Sequence, residues 1–130
     1  MATKVENLKV YQKALSVAGE VSAIIRRATF ANDRRLRAQL GASSERVASL
    51  ISEGSEQSTD KHFAEYCYRS KGSAREMRTQ LAVASKRAHI TEEERTRLDG
   101  CYEEICKMLS GLIKRLEFED HKRRQAAHEP

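Results

Sequence analysis

The chain has 130 residues, the size of one domain with a single core; 33% are charged and only 5% aromatic, with no Trp and one Pro, which excludes a turn-rich β fold and suits long helices. No apolar run approaches ~18 residues and no charged-then-apolar start leads to a small-residue cleavage site, which argues against a membrane span or a secretory leader and makes the cytoplasm the expected compartment. A net charge of +5 permits contact with nucleic acid or an anionic surface without requiring it.

After a short tail, residues 1–6, the first helix is predicted over about 7–29. Leu8, Tyr11, Leu15, Ala18 and Ile25 share one face, and Val10, Ala14, Val17, Val21, Ile24 and Ala28 an adjoining one, which together make a wide apolar stripe. A break follows at "TFAND", where Asn32 or Asp33 can cap a second helix over about 33–54. Leu36, Leu40, Val47, Leu50, Ile51 and Gly54 carry its rhythm, and Gly54 is placed to stop it. A third helix, about 58–88, opens with Ser58 or Thr59 as cap, and Phe63, Cys67, Ser70, Ala74, Met77, Leu81, Ala84 and Ala88 form a heptad seam with a small-residue waist. The fourth, about 91–117, starts with a Thr91/Glu94 capping box. Leu98, Tyr102, Ile105, Leu109, Leu112 and Leu116 are its seam, and residues 118–130 read as a polar tail that frays. Four amphipathic helices on short connections predict an all-α, antiparallel up-down-up-down four-helix bundle.

Gly72 stands in the middle of the third helix, where glycine costs about 1 kcal/mol relative to alanine. On the heptad it falls opposite the seam, so close packing inside the monomer does not explain it. Either it is a tolerated surface glycine, or the outward strip with Ser73, Glu76, Thr79 and Gln80 is a face that touches a neighbouring subunit.

Chemistry-bearing constellations are sparse. The inward Glu-x-x-His pairs of a di-iron bundle are missing, His62 and Glu65 run in the reverse order, and His89, His121 and His128 fall in a loop or tail, so no metal is expected. Cys67, Cys101 and Cys106 are an odd number without ligand spacing; Cys101 and Cys106 diverge by about 140° on a helix, so buried free thiols are expected. No nucleophile stands beside a base and an orienting acid, and "GSAR" lies mid-helix rather than at a helix start, so neither an enzyme nor a cofactor is expected. Glu53, beside Ile51 and Gly54, reads as a structural hydrogen bond or ion pair near a helix end.

"NLKVYQKAL" at the first helix, "LISEG" closing the second, "GSAREMRTQL" in the third, then "TEEE" and "ICKMLSGLIKRLE" in the fourth resemble the 23S rRNA intervening-sequence proteins, from about Asn7 to Glu117. The resemblance implies the antiparallel four-helix bundle and a ring-like homopentamer. A related bundle is the accessory protein of a reverse transcriptase in diversity-generating retroelements, with nucleic acid and polymerase as partners. The match carries over to Glu53, Gly54, Gly72, Ser73, Glu76, Thr79, Gln80 and Leu81. It departs at Arg46, Val47, Ala48, Ser49 and Leu50, where the family often has serine, isoleucine and proline before an asparagine; without the proline the second helix is expected to be straighter.

Alternating helix direction gathers Arg26, Arg27, Arg34, Arg35, Arg37, Lys86 and Arg87 against Asp33, Glu92, Glu93 and Glu94 at one end, a net of +3, while the opposite end sums to zero. Two functions follow from different classes. One is a homo-oligomer, pentameric by the resemblance, that binds RNA or DNA non-specifically through a ring of about +15. The alternative is a scaffold whose surface recruits another protein without touching nucleic acid. A basic ring favours the first, and a large exposed apolar patch the second.

Overall fold

Apolar residues at helical spacing bury one face of each of four helices in the computed structural model, which describes residues 4–128. These are α1 (Lys9–Ile24), α2 (Arg34–Ser55), α3 (Asp60–Lys86) and α4 (Glu92–Ala127). Each packs on its chain neighbour and α4 returns to α1; among the described residues neither α1 and α3 nor α2 and α4 approach within 8 Å between Cα atoms. Cross-helix pairs run in opposite order along α3 and α4, from Ser85–Glu92 through Arg78–Asp99 and Tyr68–Glu117 to Arg123–Asp60. Arg27–Glu94 and Arg97–Glu20 show the same reversal between α1 and α4. The arrangement is the expected all-α four-helix bundle, with α4 antiparallel to α1 and to α3.

The first helix is shorter than predicted because Phe30 is needed inside. Continued as a helix, Phe30 would lie about 120° from the Ile24 row. Instead Arg27 turns extended (φ −65°, ψ 151°), and a 3-10 turn, Ala28–Phe30, places Phe30 wholly within the core. Of the two apolar rows on α1, Val10, Ala14, Val17, Val21 and Ile24 are buried, whereas Leu15 in the other row stays 49% exposed.

At Gly54 the structure gives a different reason from the one expected. The helix continues through it to Ser55, and its φ is not positive. A methyl group there would lie 2.7 Å from Tyr66 Cβ and 2.9 Å from Phe63 Cδ1, so glycine is required by the close approach of α3 rather than by a helix stop.

Thr59 caps α3 through the His62 amide, and the seam from Cys67 to Ala84 is buried. Ala88 leaves that seam. The His89 amide donates to the Ala84 carbonyl and the Ala88 amide to that of Ser85, a Schellman ending with Ala88 in the left-handed region at φ 62°. Ser70 Oγ donates to the Val47 carbonyl at 2.7 Å and ties α3 to α2 inside the core.

The capping box at Thr91 and Glu94 is present, and α4 continues ten residues beyond the predicted end at Glu117. The segment over 118–127 is therefore helix rather than a fraying tail. Leu112, Ile113 and Leu116 anchor it, Arg123 reaches Asp60 at 2.8 Å, Arg124 pairs with Asp120, and no Gly or Pro interrupts good helix formers. The predicted tail over 1–6 includes the start of a 3-10 turn, Val5–Asn7; residues 1–3 and 129–130 lie outside the described residues. No described helix is long and apolar enough to cross a membrane.

Candidate nucleic-acid interface

The connections α1–α2 and α3–α4 meet at one end, joined by polar bonds and one aromatic contact. Thr29 Oγ1 donates to the His89 carbonyl at 2.9 Å, and the His89 ring lies 4.8 Å from that of Phe30. Asp33, the N-cap residue of α2, makes no cap hydrogen bond of good geometry to its own helix. One of its oxygens instead bonds His89 Nε2 at 2.7 Å and accepts from Arg87 at 2.9 Å. These two bonds, His89 first, hold the Asp33 carboxyl below its ordinary value.

Arg27 and Glu94 form a second tie, with nitrogen–oxygen distances of 3.0 and 2.6 Å. Glu94 also accepts from the Thr91 amide. The Arg27 bond, then the Thr91 amide, lower the Glu94 carboxyl to about 2. One carboxylate thus completes the cap of α4 and anchors the α1–α2 connection.

The seven predicted basic residues therefore divide. Arg27 and Arg87 hold the bundle end together, each on an acid. Arg26, Arg34, Arg35, Arg37 and Lys86 are exposed and make no ion pair with any described residue. Arg34, Arg35 and Arg37 crowd the start of α2, where the helix dipole disfavours cations and the N-cap acid is engaged elsewhere. The joint of Phe30, Asp33 and His89 was not visible in sequence, because His89 is 56 residues from Asp33 and no motif links them.

The expected subunit face is partly altered. Gly72 has open space where a Cβ would stand, and Glu76 and Thr79 are exposed. Ser73, however, is only 4% exposed, so it belongs to the packing within the monomer and leaves the outward strip. Gln80 is half-buried, and its Oε1 atom is covered without a donor. Glu76 lies 3.6 Å from Arg46 across the α2–α3 groove. Glu53 is exposed, and only its backbone carbonyl is used, by Gln57 Nε2 and the Glu56 amide; the expected structural bond of its carboxylate is not formed with any described residue.

Cys67, Cys101 and Cys106 are free thiols. Burial pushes Cys67 up to about 12, which makes it a poor nucleophile at neutral pH. Among the described residues no three of His, Cys, Asp and Glu are placed to hold a metal ion.

A solved protein with unknown function from the S23 ribosomal protein family, from Bacteroides thetaiotaomicron, superposes with a TM-score of 0.74 at 20% identity, over 81% of this chain and 98% of that one. That likeness establishes a shared fold. No curated protein matches the chain. The family model of the 23S rRNA-intervening sequence proteins matches residues 6–111, from the turn before α1 to the middle of α4, and the chain belongs to that family.

Proposed function

We propose that this bundle is a non-catalytic homo-oligomer that binds RNA or DNA without sequence specificity, through the end where the α1–α2 and α3–α4 connections meet. The observation that carries the reading is the arginine row of Arg34, Arg35 and Arg37. Three exposed guanidiniums without an acid partner sit in the first turn of α2, whose N-cap carboxylate, Asp33, is taken up by His89 and Arg87. Phosphate would relieve both the cation crowding and the dipole mismatch. Arg26 and Lys86 add charge on the flanking connections. Phe30 is buried, which leaves no aromatic platform there for base stacking and favours backbone contacts. The open strip at Gly72 supports assembly, which would multiply the basic ends. The large exposed apolar side chains among the described residues are Leu15 on α1, Tyr68 on α3 and Phe118 on α4, and a partner protein docked on them is the scaffold alternative.

Fluorescence anisotropy with labelled RNA and duplex DNA at about 50 mM salt tests the reading. The wild-type chain is expected to bind both, and binding to weaken steeply as salt rises. Arg34→Glu, Arg35→Glu and Arg37→Glu together are expected to abolish binding while leaving the mass in solution unchanged, since no helix seam is touched. Absence of wild-type binding at that salt rejects the nucleic-acid reading in favour of the scaffold. Light scattering on wild type and Gly72→Arg tests assembly separately: a wild-type monomer at micromolar concentration rejects it.

A further inference from the structure

The end remote from the arginine row holds a cleft of about 500 Å³. Its walls are Leu8, the α2–α3 turn, the first turn of α3 and the part of α4 beyond residue 111, where the family match stops. The cleft thus depends on a segment that the family model does not cover. Its floor is apolar, with Leu112 and Leu116 nearly buried and Leu8 and Phe63 half-buried. The lining charges are two of each sign. Asp60 and Arg123 neutralise each other at 2.8 Å, whereas Arg115 and Glu119, one turn apart on α4, make no ion pair with any described residue.

We propose that this cleft binds a small zwitterion with an apolar body, of which an apolar α-amino acid is the simplest. Arg115 takes the carboxylate, Glu119 takes the ammonium, and the side chain lies over Leu8, Phe63, Leu112 and Leu116. Three features select this class. The volume lies within the range of small-molecule sites, roughly 300–1,000 Å³. An apolar floor of Leu8, Phe63, Leu112 and Leu116 under a mostly polar lining suits a ligand that is apolar at one end and polar at the other. Unpaired charges of opposite sign, on side chains whose Cβ atoms stand about 5–6 Å apart on one helix face, match a head group carrying both charges and disfavour one carrying either alone. The site shares no residue with the arginine row, so this inference and the nucleic-acid reading stand or fall separately.

The test is an amide NMR titration of the full chain with L-leucine, and with isovalerate and isopentylamine, which each keep the apolar body and one of the two charges. Leucine is expected to cause saturable shifts around Ser58–Phe63 and Arg115–Arg123, with each half-ligand at least about tenfold weaker. Arg115→Gln and Glu119→Gln are each expected to weaken leucine binding by about tenfold without changing the melting temperature, because both side chains are exposed. No saturable shift up to about 20 mM leucine overturns the proposal. Equal binding of isovalerate, or unchanged leucine affinity in both variants, overturns it as well.

Discussion

At the end where the α1–α2 and α3–α4 connections meet, polar groups make the joints: Asp33 with His89 and Arg87, Glu94 with Arg27, and Thr29 with the His89 carbonyl. At the other end α2 and α3 meet by direct contact of Gly54 with Tyr66 and Phe63, and α4 overlaps the start of α3 through Leu112, Leu116 and the Arg123–Asp60 pair. The difference shows what each end can tolerate. A polar joint responds to pH and salt and leaves nearby arginines free, whereas a steric joint responds to the volume of one side chain.

The largest expected effect breaks the steric end. Gly54→Val should lower stability by about 3 kcal/mol in urea unfolding, since the new side chain meets the Cβ of Tyr66 rather than a flexible tip. Gly54→Ala sharpens the point by its sign. In an open helix alanine gains about 1 kcal/mol over glycine, and here it should lose stability. A gain would show that α2 and α3 move apart at little cost.

Next comes the polar end, tested by acid. Glu94 sits at about 2 in the folded chain, below its ordinary value of 4.5, so the unfolded chain binds the proton more readily. Its contribution is therefore complete above about pH 4.5 and is lost as pH falls toward about 2. Asp33 is lowered too and acts in the same direction. The side chain of Glu94 is 23% exposed and that of Arg27 44%, so solvent screens the pair and the loss is held to about 1 kcal/mol. Glu94→Gln should flatten this limb of the pH–stability curve, while Gly54→Ala should leave its shape unchanged. Equal pH curves for wild type and Glu94→Gln would show that the polar joint adds no stability.

A similar magnitude with the opposite sign is expected at Ala88. A left-handed alanine costs roughly 1–2 kcal/mol that glycine avoids, against which glycine loses some unfolded-state advantage, so Ala88→Gly should gain about 1 kcal/mol. The gain should come without any change in the acid limb, because the Asp33 and Glu94 bonds are untouched. The smallest effect is at Glu53, close in sequence to the steric joint yet exposed. Glu53→Gln should stay within about 0.5 kcal/mol of wild type by thermal melting.

Much of the fold was legible because helix burial obeys a local period. The seams Cys67 to Ala84 and Leu98 to Leu116 are buried as their spacing requires, and the caps at Thr59 and Thr91 are formed by residues within one turn. Expectations failed where a residue's role depended on another part of the chain. Asp33 has the chemistry of a cap but bonds His89, and Ser73, expected at the subunit face, is buried. Residues 118–127 looked like a polar tail but are held as helix, partly by Asp60. The basic composition of the candidate interface was readable, whereas its division into paired and unpaired cations was not. Periodicity and capping are properties of neighbours along the chain, so sequence alone determined the four helices and their apolar faces. Which charges are neutralised, which glycine is touched and where a cleft opens depend on distances between residues tens of positions apart, and those only the tertiary structure decided.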